Sequence, residues 1–491
     1  MFKVSDLSEP TRNFLQRGLV ISPWLAGTDL SLRFGPDVME FLRDVSSAFA
    51  ALHWTDEVRT RAFQDVPIPD RIARTATYEI SASTAVYIAH HELGLTMITV
   101  DVARKACERL EQFVNDYGFV PLIQLFTTVT GYENQHALAY YGCIPEKEFV
   151  TGVWHRPWID YSLNDELLFG TYLGNYEMVM KDQLRCVTIT EKGKTVLREA
   201  EQMLAETGYL DTRIRQIHIS RFNLYFDYDT LSNDIWPDFK RLRSEFLDFS
   251  KVLPDTTVLE LGCADGVFTF GGGLANRVGK GGQLFCADPA AGMIVRAETK
   301  RQRLGANWVN FVKAPAENLP FADHTFDTVL GVGFFHFTDA VVALEEIFRV
   351  ARPGATVASL HPTFFTPWDV PFFYEWFEPI LLSAKKRHEN NPRSYLKQPD
   401  EIVQQFRDAG FVEVEWVNYG FNTHYVDPDK VIENFIFGVG LFQEELATLP
   451  FMARQDMIDE LKQRGLLVCE KYTEEERILR FPNQIIRAIR P

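Results

Sequence analysis

Val258-Leu259-Glu260-Leu261-Gly262-Cys263-Ala264-Asp265-Gly266 decides the reading of this 491-residue chain. An apolar run carrying one carboxylate breaks into a glycine loop, and a helix is expected to begin near Val267. A buried strand, a tight glycine turn and a helix N-terminus together cradle a nucleotide-type cofactor. The helix end presents unpaired amides, and glycine lets a ligand approach the backbone where a Cβ would block it. Two glycines four residues apart are common in plain turns, so the motif needs support from its surroundings. The spacing Gly262-x-x-x-Gly266 also differs from the G-x-G-x-x-G preferred by nicotinamide and flavin sites.

Working outward, 283–287 reads as a second strand that ends in Asp288, 22 residues beyond Gly266 (266 to 288). Doubly wound folds place an acidic residue about 20 residues on, where it accepts the ribose hydroxyls. The alternative is a helix cap at Asp288, with the helix starting at Ala290. Strands are expected again at 308–313, 325–331 and 355–360, with helical segments between them, so the fold class is α/β and Rossmann-like.

Four blocks in this order resemble a class I S-adenosylmethionine-dependent methyltransferase, of the branch similar to the ubiquinone/menaquinone-biosynthesis methyltransferases. They are VLELGCADG (258–266), the run from LFCADP to Met293 (284–293), AENLPFADHTFDTVLGVGFFHF (316–337) and VARPGATV (350–357). The resemblance implies a seven-stranded domain over 246–491, with insertions at 362–396 and 427–471. A sixth strand would lie at 411–416 and an antiparallel seventh at 484–491. It implies S-adenosyl-L-methionine as cofactor. Glu260 and Gly262 would hold its methionine end, with Cys263 in the same loop, and Gly266 would allow the turn. Asp288 would grip the ribose, followed by Pro289, and Met293 would pack on the adenine. The Ala316–Glu317 backbone would flank the adenine edge, and Gly333 and Phe334 would lie beneath the sulfur. Two positions depart from the family pattern. Ala264 replaces the middle glycine of the loop, and Pro315 replaces the acidic residue that often bonds the adenine amine.

Composition narrows the field. The net charge of −17 argues against nucleic-acid binding, which needs clustered Lys and Arg. Residues 1–250 are acidic in their own right, with 25 Lys+Arg against 35 Asp+Glu. The six cysteines form no C-x-x-C pair and read as free thiols in a reducing compartment. The N-terminus lacks the apolar core of a signal peptide, and the apolar stretch 119–129 is too short for a span of about 20 helical residues. A cytoplasmic location without membrane attachment is expected.

Residues 1–245 are expected to be mainly helical, with helical spacing at 38–51 and 102–117. Residues 187–189 alternate like a strand, and Thr190 suits an N-cap. The helix after it would place Val196, Leu197, Ala200, Met203 and Leu204 on one face. This pattern resembles the end of a winged-helix domain at about 150–210; a helix after a hairpin is the simpler alternative. A winged helix serves either DNA binding or, in many small-molecule methyltransferases, dimerisation and closure of the active site. Residues 161–210 hold 5 basic and 8 acidic residues, which favours the second role and a possible homodimer. The domain boundary is expected near 240–254, after an amphipathic helix at 238–249.

In an open α/β sheet, ligands bind beyond the carboxyl ends of the strands. There the sequence places an aromatic insertion that includes Phe372, Phe373, Trp376 and Phe377, read either as a pocket wall or as packing against the N-terminal region. His336 and His361 are the candidate general bases, with Glu375 and Asp369 weaker; each histidine also suits a structural role. No metal constellation is expected: in His90-His91-Glu92, neighbours on a helix do not share a face. The functional expectation is methyl transfer to a small apolar or aromatic metabolite. Two rivals are a regulator or sensor that uses a methyltransferase-like domain to bind ligand, and a protein methyltransferase.

Overall fold

The computed structural model describes residues 238–491 apart from 367–368, 389–395, 434–445 and 447–450. Earlier in the chain it describes 4–17, most of 84–118, and shorter stretches of 132–229, of which 186–210 is the longest. The chain divides into two compact units: Met1–Ser220 with Leu446–Gln455, and Arg221–Glu445 with Asp456–Pro491.

The second unit is built on seven strands: β1 (Thr257–Leu261), β2 (Gln283–Asp288), β3 (Val309–Lys313), β4 (Phe326–Val332), β5 (Ala351–Pro362), β6 (Val412–His424) and β7 (Ile478–Ile489). Their order is β3-β2-β1-β4-β5-β7-β6. Strands β1 to β5 pair in parallel, and β7 runs antiparallel to both β5 and β6. This is the Rossmann-like seven-stranded methyltransferase sheet that the sequence led us to expect. Its last two strands are longer than expected and pair with each other from Ile478 opposite His424 to Ile489 opposite Val412.

The helices are α1 (Phe239–Phe249), α2 (Leu274–Val278), α3 (Ala291–Leu304), α4 (Ala340–Val350), α5 (Pro371–His388), α6 (Pro399–Asp408), α7 (Pro428–Glu433) and α8 (Phe451–Lys471). Successive strand residues point to opposite faces, so β1 feeds two cores. Leu259 and Leu261 pack with Ile347 of α4 and Phe406 of α6. Val258 packs with Phe246 of α1 and Val278 of α2 on the other face. A strand covered on both faces reads as a continuous apolar run, as VLEL does. Local chemistry sets the helix starts. The Asp339 carboxylate accepts from the amides of Val341 (3.1 Å) and Val342 (3.3 Å) ahead of α4, and Gln398 with Glu401 forms a capping box ahead of α6.

The aromatic insertion is core. Phe372, Phe373, Trp376 and Phe377 of α5 are all buried, gather around Tyr425 and pack toward α8, where the Trp376 indole donates to the Leu461 carbonyl (2.9 Å). Residues 385–388 form the last turn of α5.

In the first unit the helix Val100–Tyr117 is capped by Thr99. Ile144–Pro145, Cys186–Ile189 and Val179–Lys181 form a three-stranded antiparallel sheet in that order. Thr190 caps the following helix, Glu191–Glu206, by accepting from the Gly193 amide (3.0 Å). Leu197, Ala200, Met203 and Leu204 of that helix are buried, and Val196 is half-buried. One expectation is corrected here. Cys143 and Cys186 are disulfide-bonded, with Cα atoms 5.8 Å apart, because strand pairing sets Cys186 opposite Pro145 and so near Cys143. Cys107, Cys263, Cys286 and Cys469 are free. Of the winged helix expected at about 150–210, with the homodimer it would serve, 150–178 and 182–185 lie outside the described residues, as do the segments 38–51 and 119–129. Among the described residues no helix is long and apolar enough to cross a membrane.

Candidate cofactor and active site

The strand order reverses between β1 and β4, so the carboxyl ends of these two strands open the crevice where ligands of such sheets bind. The loop after β1 enters it. Gly262 has φ 67°, and a Cβ there would stand 2.6 Å from Cβ of Phe334. The amides of Gly262 (2.8 Å) and Cys263 (3.2 Å) both donate to the Ala287 carbonyl, which ties the loop to the end of β2. Gly266, at φ 87°, precedes the helical turn Val267–Gly271. Ala264 is also left-handed (φ 49°), a conformation that disfavours a residue with a Cβ.

That conformation aims the Ala264 amide at Oδ2 of Asp288 (2.9 Å), while the Ala290 amide donates to Oδ1 (2.8 Å). Asp288 thus fastens the glycine loop and the entry to α3 at once. Each of its oxygens keeps a further lone pair for a hydroxyl. Burial pushes its carboxyl up to about 6, against the two amides that favour the charged form. Glu260, at the end of β1, is more deeply buried. Its carboxyl is pushed up to about 8 by burial, although Thr269 donates to Oε2 (2.6 Å) and Cys286 approaches the same atom (3.5 Å). Asp265, inside the glycine loop, has no exposed surface and pairs with Lys300 (2.9 Å). Because burial raises the Glu260 and Asp288 carboxyls, a cationic ligand beside them would favour their charged forms. Cys263 is buried with its thiol pushed well up, so it stays protonated.

The turn after β3 supplies a second wall. The Ala314 amide donates to the Asp288 carbonyl (3.1 Å), Ala316 is buried, and the Glu317 side chain accepts from the Asp339 amide (2.9 Å) at the start of α4. The Pro315 carbonyl accepts from the Asn318 amide (3.2 Å). Pro289 is half-buried beside Asp288, and Met293 is fully buried in the first turn of α3.

At the end of β4 the Gly333 amide donates to the Leu360 carbonyl (2.7 Å). Nothing lies within 4 Å of where a Gly333 Cβ would stand. His336 is half-buried on the short turn Phe335–Phe337, its ring centroid 3.8 Å from that of Phe337. His361 has a different setting. It is buried, with Nδ1 3.0 Å from Ser359 Oγ and Nε2 3.2 Å from Gln484 Oε1. Gln484 in turn donates to Asn418 (3.1 Å), so the chain of bonds crosses β5, β7 and β6. Burial pushes the His361 imidazole down to about 4. Glu375 binds Lys471 (2.7 Å) and the Tyr472 hydroxyl (2.8 Å), joining the two insertions, and Asp369 is exposed. Among the described residues no three His, Cys, Asp or Glu side chains gather as a metal group.

Glu260, Gly262, Cys263, Gly266, Asp288 and the start of α3 thus converge on one crevice, with Gly333, Phe334 and His336 along its β4 side. Sequence reasoning missed Thr269, Cys286, Asp265 and Lys300. Asp265 stands in the decisive stretch itself, and a carboxylate inside a glycine loop is a visible signal. Lys300 lies 35 residues further on and carries none.

Residues 211–426 match the ubiE/COQ5 methyltransferase family. The chain is 30% identical over 221 residues to a demethylmenaquinone methyltransferase of Geobacillus sp. (strain WCH70), a match that covers 42% of this chain and 92% of the relative. It is 28% identical over 238 residues to the ubiquinone/menaquinone biosynthesis C-methyltransferase UbiE of Haemophilus ducreyi, covering 46% and 86%. Among solved structures it resembles a SAM-dependent methyltransferase from Aquifex aeolicus, with a TM-score of 0.29 and 22% identity, covering 39% of this chain and 91% of the other.

Proposed function

Since the chain belongs to the ubiE/COQ5 methyltransferase family, and is therefore an S-adenosylmethionine-dependent methyltransferase of small molecules, we propose that it methylates a ring carbon of a hydroxylated aromatic metabolite of the quinol class. The relatives are named for demethylmenaquinone and for ubiquinone/menaquinone C-methylation, and nothing in them supports a DNA-reading regulator or a protein methyltransferase.

The observation that carries the reading is the double anchoring of Asp288 by the amides of Ala264 and Ala290 at the crevice. In this reading Asp288 accepts the ribose hydroxyls and Glu260, with the Gly262 loop, faces the methionine end. Met293, Pro289 and the Ala316–Glu317 backbone border the adenine. The buried carboxylates suit a ligand carrying a sulfonium and an ammonium. When bound, the cofactor would supply an electrophilic methyl group, and Gly333 and Phe334 would border the acceptor carbon and hold it near that group. As the acceptor ring took up that methyl group, its ring proton or the adjacent hydroxyl proton would pass to a base of the chain.

We assign that base to His336, which sits half-buried at the edge of β4 beside aromatic rings. His361 is the poorer candidate, because both ring nitrogens are engaged and burial makes it a weak base. A cytoplasmic location is part of this reading. The Cys143–Cys186 bridge stands against it, since reducing compartments disfavour disulfides.

The test is incubation of the purified protein with methyl-labelled S-adenosylmethionine and a chemically reduced demethylmenaquinone with a short side chain. Label on the ring carbon is the expected result, with kcat lowered about 10²–10⁴-fold in His336→Gln. Label confined to oxygen, or absent while S-adenosylhomocysteine still binds, would overturn the substrate class.

A further inference from the structure

Just ahead of α1, residues 222, 223, 228 and 229 belong to a stretch that the cofactor motifs leave out, and it is fastened to the crevice at several independent points. The Asn223 side chain accepts from the Gly292 amide (2.9 Å) in the first turn of α3. The carbonyls of Phe222 (2.9 Å) and Asn223 (3.1 Å) accept from the Arg296 guanidinium, one turn further along α3. The Tyr228 amide donates to Oδ2 of Asp265 (3.2 Å), the same oxygen that Lys300 binds (2.9 Å). The Phe222 ring meets Phe337 edge-on at 5.6 Å. The backbone approaches so closely that a Cβ on Gly292 would stand 2.6 Å from the Asn223 carbonyl oxygen.

These contacts join three parts of the proposed site: the glycine loop through Asp265, the helix that follows Asp288, and the turn that carries His336. Asp265 is the keystone. Its side chain has no exposed surface, so the charge must be met inside the protein, and Lys300, itself about a fifth exposed, supplies the partner. The buried Arg243 guanidinium of α1 also lies near this cluster, where it faces Asp229 and Asp265. Removing Lys300 leaves a buried carboxylate in the loop short of one partner and loosens the atom that holds Tyr228.

We infer that Lys300 and Asn223 are positioning residues for the cofactor: with Phe222, Asn223 and Tyr228 as the strap, they join the glycine loop to the first turns of α3 and, through Phe222 on Phe337, to the turn bearing His336. The inference rests on the cofactor placement proposed above. By fixing the glycine loop and the first turns of α3 relative to each other, these contacts set how long the cofactor stays. Lys300 and Asn223 act through Asp265, Gly292 and Phe222.

The test is stopped-flow dissociation of S-adenosylhomocysteine, with melting curves, for the full chain and four variants. Lys300→Met and Asn223→Ala are expected to speed dissociation about tenfold or more while association changes less than threefold. Lys300→Arg restores the wild-type rate by keeping the cation. Gly292→Ala, which pushes directly on the strap, speeds dissociation as Asn223→Ala does. Asp288→Ala is the control for the underlying reading, since it must weaken binding for any cofactor-strap account to hold. If Asp288→Ala weakens binding while Lys300→Met and Asn223→Ala leave the dissociation rate at the wild-type value, the strap inference fails and the cofactor placement stands. If Lys300→Arg behaves like Lys300→Met, the pairing charge is not what holds the strap, and the inference fails as well. An unfolded Lys300→Met leaves Asn223→Ala and Gly292→Ala to decide on the same readout.

Discussion

Asp288 is held by two amides and lifted to about 6 by burial, and the two facts give its binding a pH signature. Ribose hydroxyls donate best to the charged carboxylate, so affinity for S-adenosylhomocysteine is expected to be flat above about pH 7. Below about pH 6 it falls up to tenfold per unit; calorimetric titration across pH 5–8 reads this directly. The two histidines separate at the same scale. His336→Gln is expected to lower kcat with little change in melting temperature. His361→Ala removes a buried residue bonded to Ser359 and Gln484, and is expected to cost roughly 2–4 kcal/mol of stability in denaturant titration. The places of Glu260 and Asp288 at the ends of β1 and β2 were legible, because each carboxylate closes an apolar run. Thr269 and Lys300 reach their partners only through tertiary packing, which no local pattern reveals.

At the scale of elements, two glycines make opposite forecasts. A Cβ on Gly262 would stand 2.6 Å from Phe334 and would require a left-handed φ, so Gly262→Ala is expected to destabilise the fold by at least about 2 kcal/mol. Gly333 faces open space. Gly333→Ala is expected to cost only about 1 kcal/mol for its left-handed backbone, yet to weaken S-adenosylhomocysteine binding tenfold or more. Thermal melts beside titrations separate the two, and a Gly333→Ala protein that binds normally would contradict the placement of the methionine end. The strands were legible because runs covered on both faces read as apolar blocks between turns. The aromatic run of α5 was not, since buried rings give the same periodicity whether they line a pocket or pack against α8. Nor was the Cys143–Cys186 bridge, whose partners lie 43 residues apart and meet only through strand pairing.

For the whole molecule, the raised carboxyls of Glu260 and Asp288 set a stability profile. Their folded values, about 8 and about 6, lie above the ordinary 4.5 and 3.8. The folded protein therefore keeps protons that the unfolded chain releases, so their contribution to stability falls as pH rises from about 4 to about 8. A cationic ligand beside these groups offsets that loss. The rise in melting temperature caused by S-adenosylmethionine is thus expected to be larger at pH 8 than at pH 6, and a rise independent of pH would contradict the electrostatic fit. The methyltransferase half was legible as a whole because four motifs fall in order along an alternating β-α pattern. In the acidic first half the sequence offered the strand at 187–189, the helix that Thr190 caps and the helical spacing at 102–117; among the described residues the other strands, Ile144–Pro145 and Val179–Lys181, are too short to show an alternation.

The central claim is that the crevice between β1 and β4 holds the cofactor through Asp288. The most direct measurement is calorimetric titration of S-adenosylhomocysteine into the wild-type protein and into Asp288→Ala at pH 7.5. Micromolar binding that the substitution weakens by a factor of ten or more, about 1.4 kcal/mol, is expected. Equal affinity in the two folded proteins would contradict the claim and move the cofactor away from the loop that begins at Gly262.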